Sequence, residues 1–270
     1  MVSTKKIVLL GAGNMGGAML AGWLKSGIDG SSILILDPKV SDSMAGLAAE
    51  HGVQIAAASP AGMTAEIIFL AVKPQVMDAA LPSVKTLVGP DTVIVSIAAG
   101  KMLSFIESHL GTGAFVRAMP NTPAMVGRGV TGAFANPAVS AAQKAAVHDL
   151  LKVSGPVEWV SSETDIDSVT ALSGSGPAYV FYLVECMAEA GRKLGLPADL
   201  AMRLARETVS GAGELLHQSP EDASQLRINV TSPGGTTAAA LSVLMAEDGM
   251  QPLFDAAIAA ARKRAQELAN

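Results

Sequence analysis

The stretch Lys5-Lys6-Ile7-Val8-Leu9-Leu10-Gly11-Ala12-Gly13-Asn14-Met15-Gly16-Gly17 decides the fold. Its first half, residues 5–10, is a short apolar run of the kind that forms a buried strand. Its second half is a glycine turn that opens a helical pattern over residues 14–26. The three spaced glycines have separate tasks. Gly11 allows the tight turn, Gly13 lets a pyrophosphate approach the backbone, and Gly16 lets the helix pack close to the strand. A glycine turn entering a helix leaves backbone N–H groups without partners at the positive end of the helix dipole, which suits an anion. Asn14 and Met15 complete the loop. Downstream, Ile33 to Leu36 ends in Asp37, about 20 residues on, where the ribose-binding acid of a dinucleotide fold belongs. The predicted ligand is NADH or NADPH. The alternative is a turn that only packs a helix onto a sheet.

Outward from this unit the first part of the chain alternates strands with helices. Strands are predicted over residues 5–10, 33–36, 67–72, 92–97 and 114–119, with amphipathic helices over 14–26, 41–51, 75–87 and 102–109. Weaker runs at 129–135 and 157–160 extend the sheet at its edge. This pattern predicts α/β architecture, a parallel sheet covered by helices on both faces. After about Ser161 the pattern changes. Helices are predicted over 177–194, 198–217, 236–247 and 250–268, separated by Gly195-Leu196-Pro197, Ser219-Pro220 and Asp248-Gly249. They are apolar around much of their circumference, so the second domain is expected to pack against a copy of itself.

Bulk properties narrow the function classes. With 270 residues, half of them apolar, the chain can bury a large core and form two domains. A mean hydropathy of +0.39 is high for a chain with no apolar stretch long enough to span a bilayer, and subunit interfaces are the expected outlet. The opening residues 1–6 are too short for a signal peptide. A net charge of −5 argues against a nucleic-acid partner. Cys186 is the sole cysteine, which excludes an intrachain disulfide and suits a reducing cytoplasm.

Ligands of open α/β sheets bind outside the carboxyl ends of the strands. Ala71, Val72, Lys73 and Pro74 end one predicted strand, and Met119, Pro120 and Asn121 end another. The first group belongs beside the coenzyme and the second towards its nicotinamide. Asp37 favours NADH through the ribose hydroxyls, while Lys39 lies close enough to meet a 2′-phosphate and favours NADPH. The sequence leaves that choice open.

No acid–base constellation is evident. His51, His109, His148 and His217 all fall in or at the ends of predicted helices, and metal-ligand spacing is absent. Ser173-Gly174-Ser175-Gly176-Pro177 does not follow a strand and reads as a helix entry, with Pro177 near the first helical position. Hydride transfer needs little more than two molecules held in register, and an iminium substrate arrives already polarised. A carbonyl substrate would want a donor, for which Lys73 and Lys101 are the lysines near strand ends. A second glycine turn, Thr231-Ser232-Pro233-Gly234-Gly235-Thr236-Thr237, opens the helical pattern that follows it. The amides of Gly235, Thr236 and Thr237 are candidates for a carboxylate, and a threonine hydroxyl for a ring nitrogen. The plain alternative is a helix start capped by threonine.

The chain resembles the pyrroline-5-carboxylate reductase family. The resemblance rests on residues 11–17, Ala71-Val72-Lys73-Pro74, Arg117-Ala118-Met119-Pro120-Asn121-Thr122-Pro123, residues 172–179 and residues 229–237. It implies an N-terminal Rossmann domain, a doubly wound sheet over residues 1–162, and a C-terminal all-helical substrate and dimerisation domain over 163–270. It implies a homodimer with interlocked helical domains, assembled into a larger ring such as a decamer. The implied reaction reduces (S)-1-pyrroline-5-carboxylate to L-proline with NADPH or NADH. By position, Thr237 contacts the substrate's ring nitrogen, and Gly234, Gly235 and Thr236 hold its carboxylate. Ser173, Gly176 and Pro177 lie near the same pocket. Asp37-Pro38-Lys39 departs from the Asn, Ser or Arg residues that many members carry there. Two rivals remain at this level: a β-hydroxyacid dehydrogenase, although no lysine follows Ser173 until Lys193, and a non-catalytic NAD(P)-binding redox sensor.

Overall fold

A computed structural model describes residues 3–269; Met1, Val2 and Asn270 lie outside the described residues. The chain divides into two compact units, one running to Gly174 and including the chain from Ala261 on, the other spanning Ser175–Ala260.

The first unit begins with β1 (Ser3–Leu10), α1 (Asn14–Lys25), β2 (Ile33–Leu36), α2 (Asp42–His51), β3 (Gln54–Ala56) and β4 (Met63–Leu70). A short helix α3 (Met77–Ala80), flanked by 3-10 turns at Pro74–Val76 and Leu81–Leu87, leads to β5 (Val88–Ser96). There follow α4 (Leu103–Leu110), β6 (Ala114–Pro120), a 3-10 turn Thr122–Val126, β7 (Thr131–Ala135), α5 (Ala141–Leu151) and β8 (Val157–Trp159). The unit continues through α6 (Asp165–Val169) into a π-helical turn, Thr170–Gly174.

The eight strands form one sheet in the order β3-β2-β1-β4-β5-β6-β7-β8. Every pairing from β3 to β6 is parallel. β7 runs antiparallel to β6, and β8 is parallel to β7. The parallel sheet expected from the sequence therefore carries one antiparallel step at its edge. The cause is chain length: the link from Pro120 to Thr131 is too short for the crossover that a parallel partner requires, whereas α5 supplies one between β7 and β8.

The pleat sorts the apolar residues. Ile7 and Leu9 enter a core layer with Met19, Leu20 and Trp23 of α1 and Leu150 of α5. Val8 and Leu10 enter the opposite layer with Met77, Leu81, Val84, Leu87 and Ile106. Trp23 meets Phe69 edge-on at 5.2 Å between centroids, and its indole Nε1 donates to the Leu150 carbonyl at 2.9 Å. Burial of each such side chain is worth about 1.5–3 kcal/mol. With helices on both faces, the functional side of the sheet is left to the strand ends.

Several boundaries differ from expectation. β4 stops at Leu70, so Ala71 and Val72 lie in the loop beyond it. The predicted helix over 75–87 is broken into 3-10 and α pieces, because Pro82 supplies no N–H and Leu81, Val84 and Leu87 bury at a spacing of three. β3 and α5 were not foreseen.

The second unit contains α7 (Gly176–Lys193), α8 (Ala198–Gln218), α9 (Ala223–Asn229), α10 (Thr236–Leu244) and the start of α11 (Met250–Ala269). α9 was not foreseen either. Ala188, Ala201 and Ala205 are buried, and a Cβ on Gly191 would stand 3.3 Å from that of Ala201, so α7 and α8 approach along a seam of small residues. Its large apolar side chains stay outside: Phe181 is 64% exposed, Leu215 56% and Val243 70%.

Candidate functional site

The loop after β1 is held open by geometry that only glycine satisfies. Gly11 has φ +90°, and a Cβ there would lie 2.8 Å from Val72 Cγ1. A Cβ on Gly16 would lie 2.2 Å from the Gly11 carbonyl oxygen. Gly13, the N-cap of α1, is different: nothing lies within 4 Å of the place its Cβ would take. Gly17 N–H donates to the Gly13 carbonyl at 2.7 Å, so the helical ladder starts there. The amides of Asn14, Met15 and Gly16 belong to the first turn and have no intrahelical acceptors, and no acidic residue occupies that turn. Free donors, a dipole end and an open approach at Gly13 fit the pyrophosphate of a dinucleotide.

Asp37 stands at the carboxyl end of β2. Its Oδ2 accepts from the Ala12 N–H at 2.9 Å and its Oδ1 from the Lys39 N–H at 2.9 Å. Two cavities meet at this residue. One, of about 550 Å³, has walls from Leu36, Ala57, Ala58, Val72, Val76 and Ala80, with Gly11, Gly13, Ala71 and Lys73 also on it. The other, of about 390 Å³, is lined by Gly13, Asn14, Lys39, Ser41, Ser43, Met44 and Met125, among others. The structure thus brings together Gly11, Gly13, Asn14, Asp37, Lys39, Ala71, Val72 and Lys73. Met15, Gly16 and Pro74 support these walls without lining either cavity.

Met119, Pro120 and Asn121 also lie outside both linings. Asn121 is buried, and its Oδ1 accepts from Val130 N–H at 3.0 Å, which locks the loop that carries Met125. Met119 packs over Gly174, where a Cβ would come within 2.6 Å of Met119 Cε.

Beneath this edge sits an ion cluster that the sequence reading missed. Arg117 in β6 is 1% exposed. Its Nη2 donates to Asp167 Oδ1 of α6 at 3.0 Å, and its Nη1 lies 3.6 Å from Glu163 Oε1. Glu163 Oε1 in turn accepts from the Leu103 amide at 2.7 Å. The cluster ties β6 to the start of α4 and to α6. An arginine inside an apolar strand was the available signal. Just beyond α6, the π-helical turn contains Ser173, whose Oγ is buried without a hydrogen-bond partner among the described residues. π-turns of this kind recur at functional positions.

In the second unit the late glycine turn does open a helix. Gly234 has φ +71°, Gly235 is the N-cap of α10, and no side chain caps it. One expectation changes here. The Gly235 N–H donates to the Ser232 carbonyl at 3.0 Å, so the free donors begin at Thr236 and Thr237. Thr237 is half-buried and Thr236 exposed. Gly176 and Pro177 start α7, with Pro177 in the first turn as its missing N–H requires.

Comparison with known proteins adds identity to this geometry. Residues 163–268 match a family model described as pyrroline-5-carboxylate reductase dimerisation. Residues 6–100 match one described as NADP oxidoreductase, coenzyme F420-dependent. A pyrroline-5-carboxylate reductase of Pseudomonas aeruginosa is 39% identical over 271 residues, covering 100% of this chain and 98% of that protein. The solved structure of a pyrroline-5-carboxylate reductase from Coxiella burnetii superposes with a TM-score of 0.91 at 36% identity, covering 99% of this chain and 100% of the other. That of the Plasmodium falciparum pyrroline carboxylate reductase with NADP bound superposes with a TM-score of 0.80 at 28% identity, covering 98% of each chain.

Proposed function

This chain belongs to the pyrroline-5-carboxylate reductase family, and on that premise we propose the reaction and the duties of its residues. It is an NAD(P)H-dependent oxidoreductase that reduces (S)-1-pyrroline-5-carboxylate to L-proline, the last step of proline biosynthesis. The observation that carries this reading is the 39% identity to a reductase of that name along the whole chain.

The bound coenzyme supplies the hydride, which goes to the ring carbon of the C=N bond. The chain's residues bind and orient. Amides of Asn14, Met15 and Gly16 receive the pyrophosphate, and the apolar cavity beside Leu36 and Val76 receives the adenine. Amides at Thr236 and Thr237, with Gly234 and Gly235 shaping the turn, receive the substrate carboxylate. The Thr237 hydroxyl accepts from the iminium N–H and so fixes the face of the ring. As the carbon gains hydride, the C=N electron pair moves onto nitrogen, and solvent later protonates the amine. No ionisable side chain has to act as general acid, which agrees with the absence of an acid–base set in the sequence. Ser173, Gly176 and Pro177 border the same substrate site, while Met119, Pro120 and Asn121 border the nicotinamide.

We assign residues 1–162 to the coenzyme domain and 163–270 to the substrate and dimerisation domain. The matched dimerisation family and the exposed Phe181, Leu215 and Val243 support a homodimer through the helices. A decamer is the assembly proposed beyond it. No helix among the described residues is long and apolar enough to cross a membrane. Cytoplasmic residence is part of the proposal and is supported by the single cysteine.

The Thr237 assignment is tested by Thr237→Ala and Thr237→Ser, assayed with the imine. Alanine is expected to lower kcat/KM by about tenfold or more, as loss of a hydrogen bond to a charged group implies, with serine restoring most of it and the coenzyme Kd unmoved. Equal loss of coenzyme affinity in both variants would contradict the assignment.

A further inference from the structure

We propose that Asp37 makes this enzyme select NADH over NADPH. The proposal deepens the reductase reading and depends on it only for the class of coenzyme.

Asp37 lines both cavities, at the seam between the apolar one and the polar one. An adenine among Leu36, Ala58 and Val76 places its ribose at this carboxylate. Asp37 is also fixed. One oxygen accepts from the phosphate loop at Ala12 N–H and the other from Lys39 N–H, each at 2.9 Å. An ionised carboxylate has about four acceptor positions, so one remains on each oxygen. Two vicinal hydroxyls are matched by two remaining acceptors on one rigid group. A 2′-phosphate has no proton to donate there at neutral pH and brings a charge of roughly −1.5 to −2 against a carboxylate that cannot swing away.

The groups that would favour the phosphate are weaker on geometric grounds. Lys39 is exposed, and its long side chain must lose rotamer freedom to engage. Ser41 Oγ accepts from Met44 N–H at 3.3 Å as the cap of α2 and lies 3.2 Å from Ser43 Oγ, so its single hydroxyl proton has an acceptor on this chain that competes with a phosphate oxygen. The first turn of α2 carries Asp42, a second negative charge at the helix end where an anion would sit. No arginine occurs between Asp37 and Met44 to supply a forked phosphate clamp.

The test is binding of NADH and NADPH to the full-length protein, followed by coenzyme fluorescence without imine. The wild-type protein is expected to bind NADH at least about tenfold more tightly, the effect of charge-assisted hydrogen bonds. Asp37→Ser should shift the ratio of the two Kd values towards NADPH by about tenfold or more. Asp37→Asn, which retains the shape and one acceptor, provides the same reading if serine perturbs folding by circular dichroism. Tighter NADPH binding by the wild type would overturn the proposal, as would an unchanged ratio in the folded Asp37 variant. Selective loss of NADPH affinity in Lys39→Ala without any change in the Asp37 variants would also overturn it. NADPH preference with intact imine reduction would sink this proposal alone. NADH preference with no imine reduction would sink the reductase reading instead.

Discussion

A Cβ is the smallest change that separates the duties of the loop glycines. At Gly16 it meets the Gly11 carbonyl at 2.2 Å, a backbone atom with nowhere to move. Gly16→Ala is therefore expected to cost about 1–3 kcal/mol of stability, read by denaturant unfolding, and to weaken both coenzymes alike. At Gly13 the same Cβ meets nothing, so Gly13→Ala should leave stability within about 1 kcal/mol while weakening coenzyme binding, because the methyl fills the approach to the amides. Equal stability losses in the two variants would contradict the division. These glycines were legible in the sequence because their constraint is local backbone geometry. The second hydrogen bond of Asp37, to Ala12 across 25 positions, was not legible, since it depends on how two loops meet. The Gly235 amide was hidden for a related reason: only the turn's own closure onto Ser232 reveals that it is already engaged.

Elements followed the sequence where a single face was clearly apolar or clearly buried. The parallel strands β1, β2, β4, β5 and β6 and the long helices α7 and α8 are of this kind. β3 failed because it is three residues long at a sheet edge and mostly exposed, so it has no alternation to read. The segment 75–87 failed because an apolar spacing of three or four suits both α and 3-10 geometry, and Pro82 decides between them only once the backbone is seen. At the β6–α6 contact, Arg117 and Asp167 are both nearly enclosed, at 2% and 5% side-chain exposure. Arg117→Ala leaves Asp167 charged and unpaired, and is expected to cost about 3–5 kcal/mol in a denaturant titration. The Arg117→Ala, Asp167→Ala double variant should cost clearly less than the sum of the singles. Additive losses would show that the pair does not act as a unit.

On the scale of the whole molecule, the helical unit leaves its large apolar side chains in water. Exposed apolar residues at Phe181, Leu215 and Val243 are expected to be covered by a second copy of the chain. Leu215→Asp should shift the protein towards monomer in sedimentation velocity and lower imine reduction in parallel, since desolvating an unpaired carboxylate at an interface is unfavourable. A wild-type monomer at micromolar concentration with full activity would contradict this. The need for a partner was visible in the mean hydropathy of +0.39 and in helices apolar around much of their circumference, although neither discloses which side chains face outward. The most direct measurement is coenzyme oxidation by the purified protein on addition of (S)-1-pyrroline-5-carboxylate, with the product identified. Imine-dependent oxidation is expected, with one L-proline formed per coenzyme consumed. No imine-dependent oxidation with either NADH or NADPH, from a folded protein that binds coenzyme, would contradict the reductase reading.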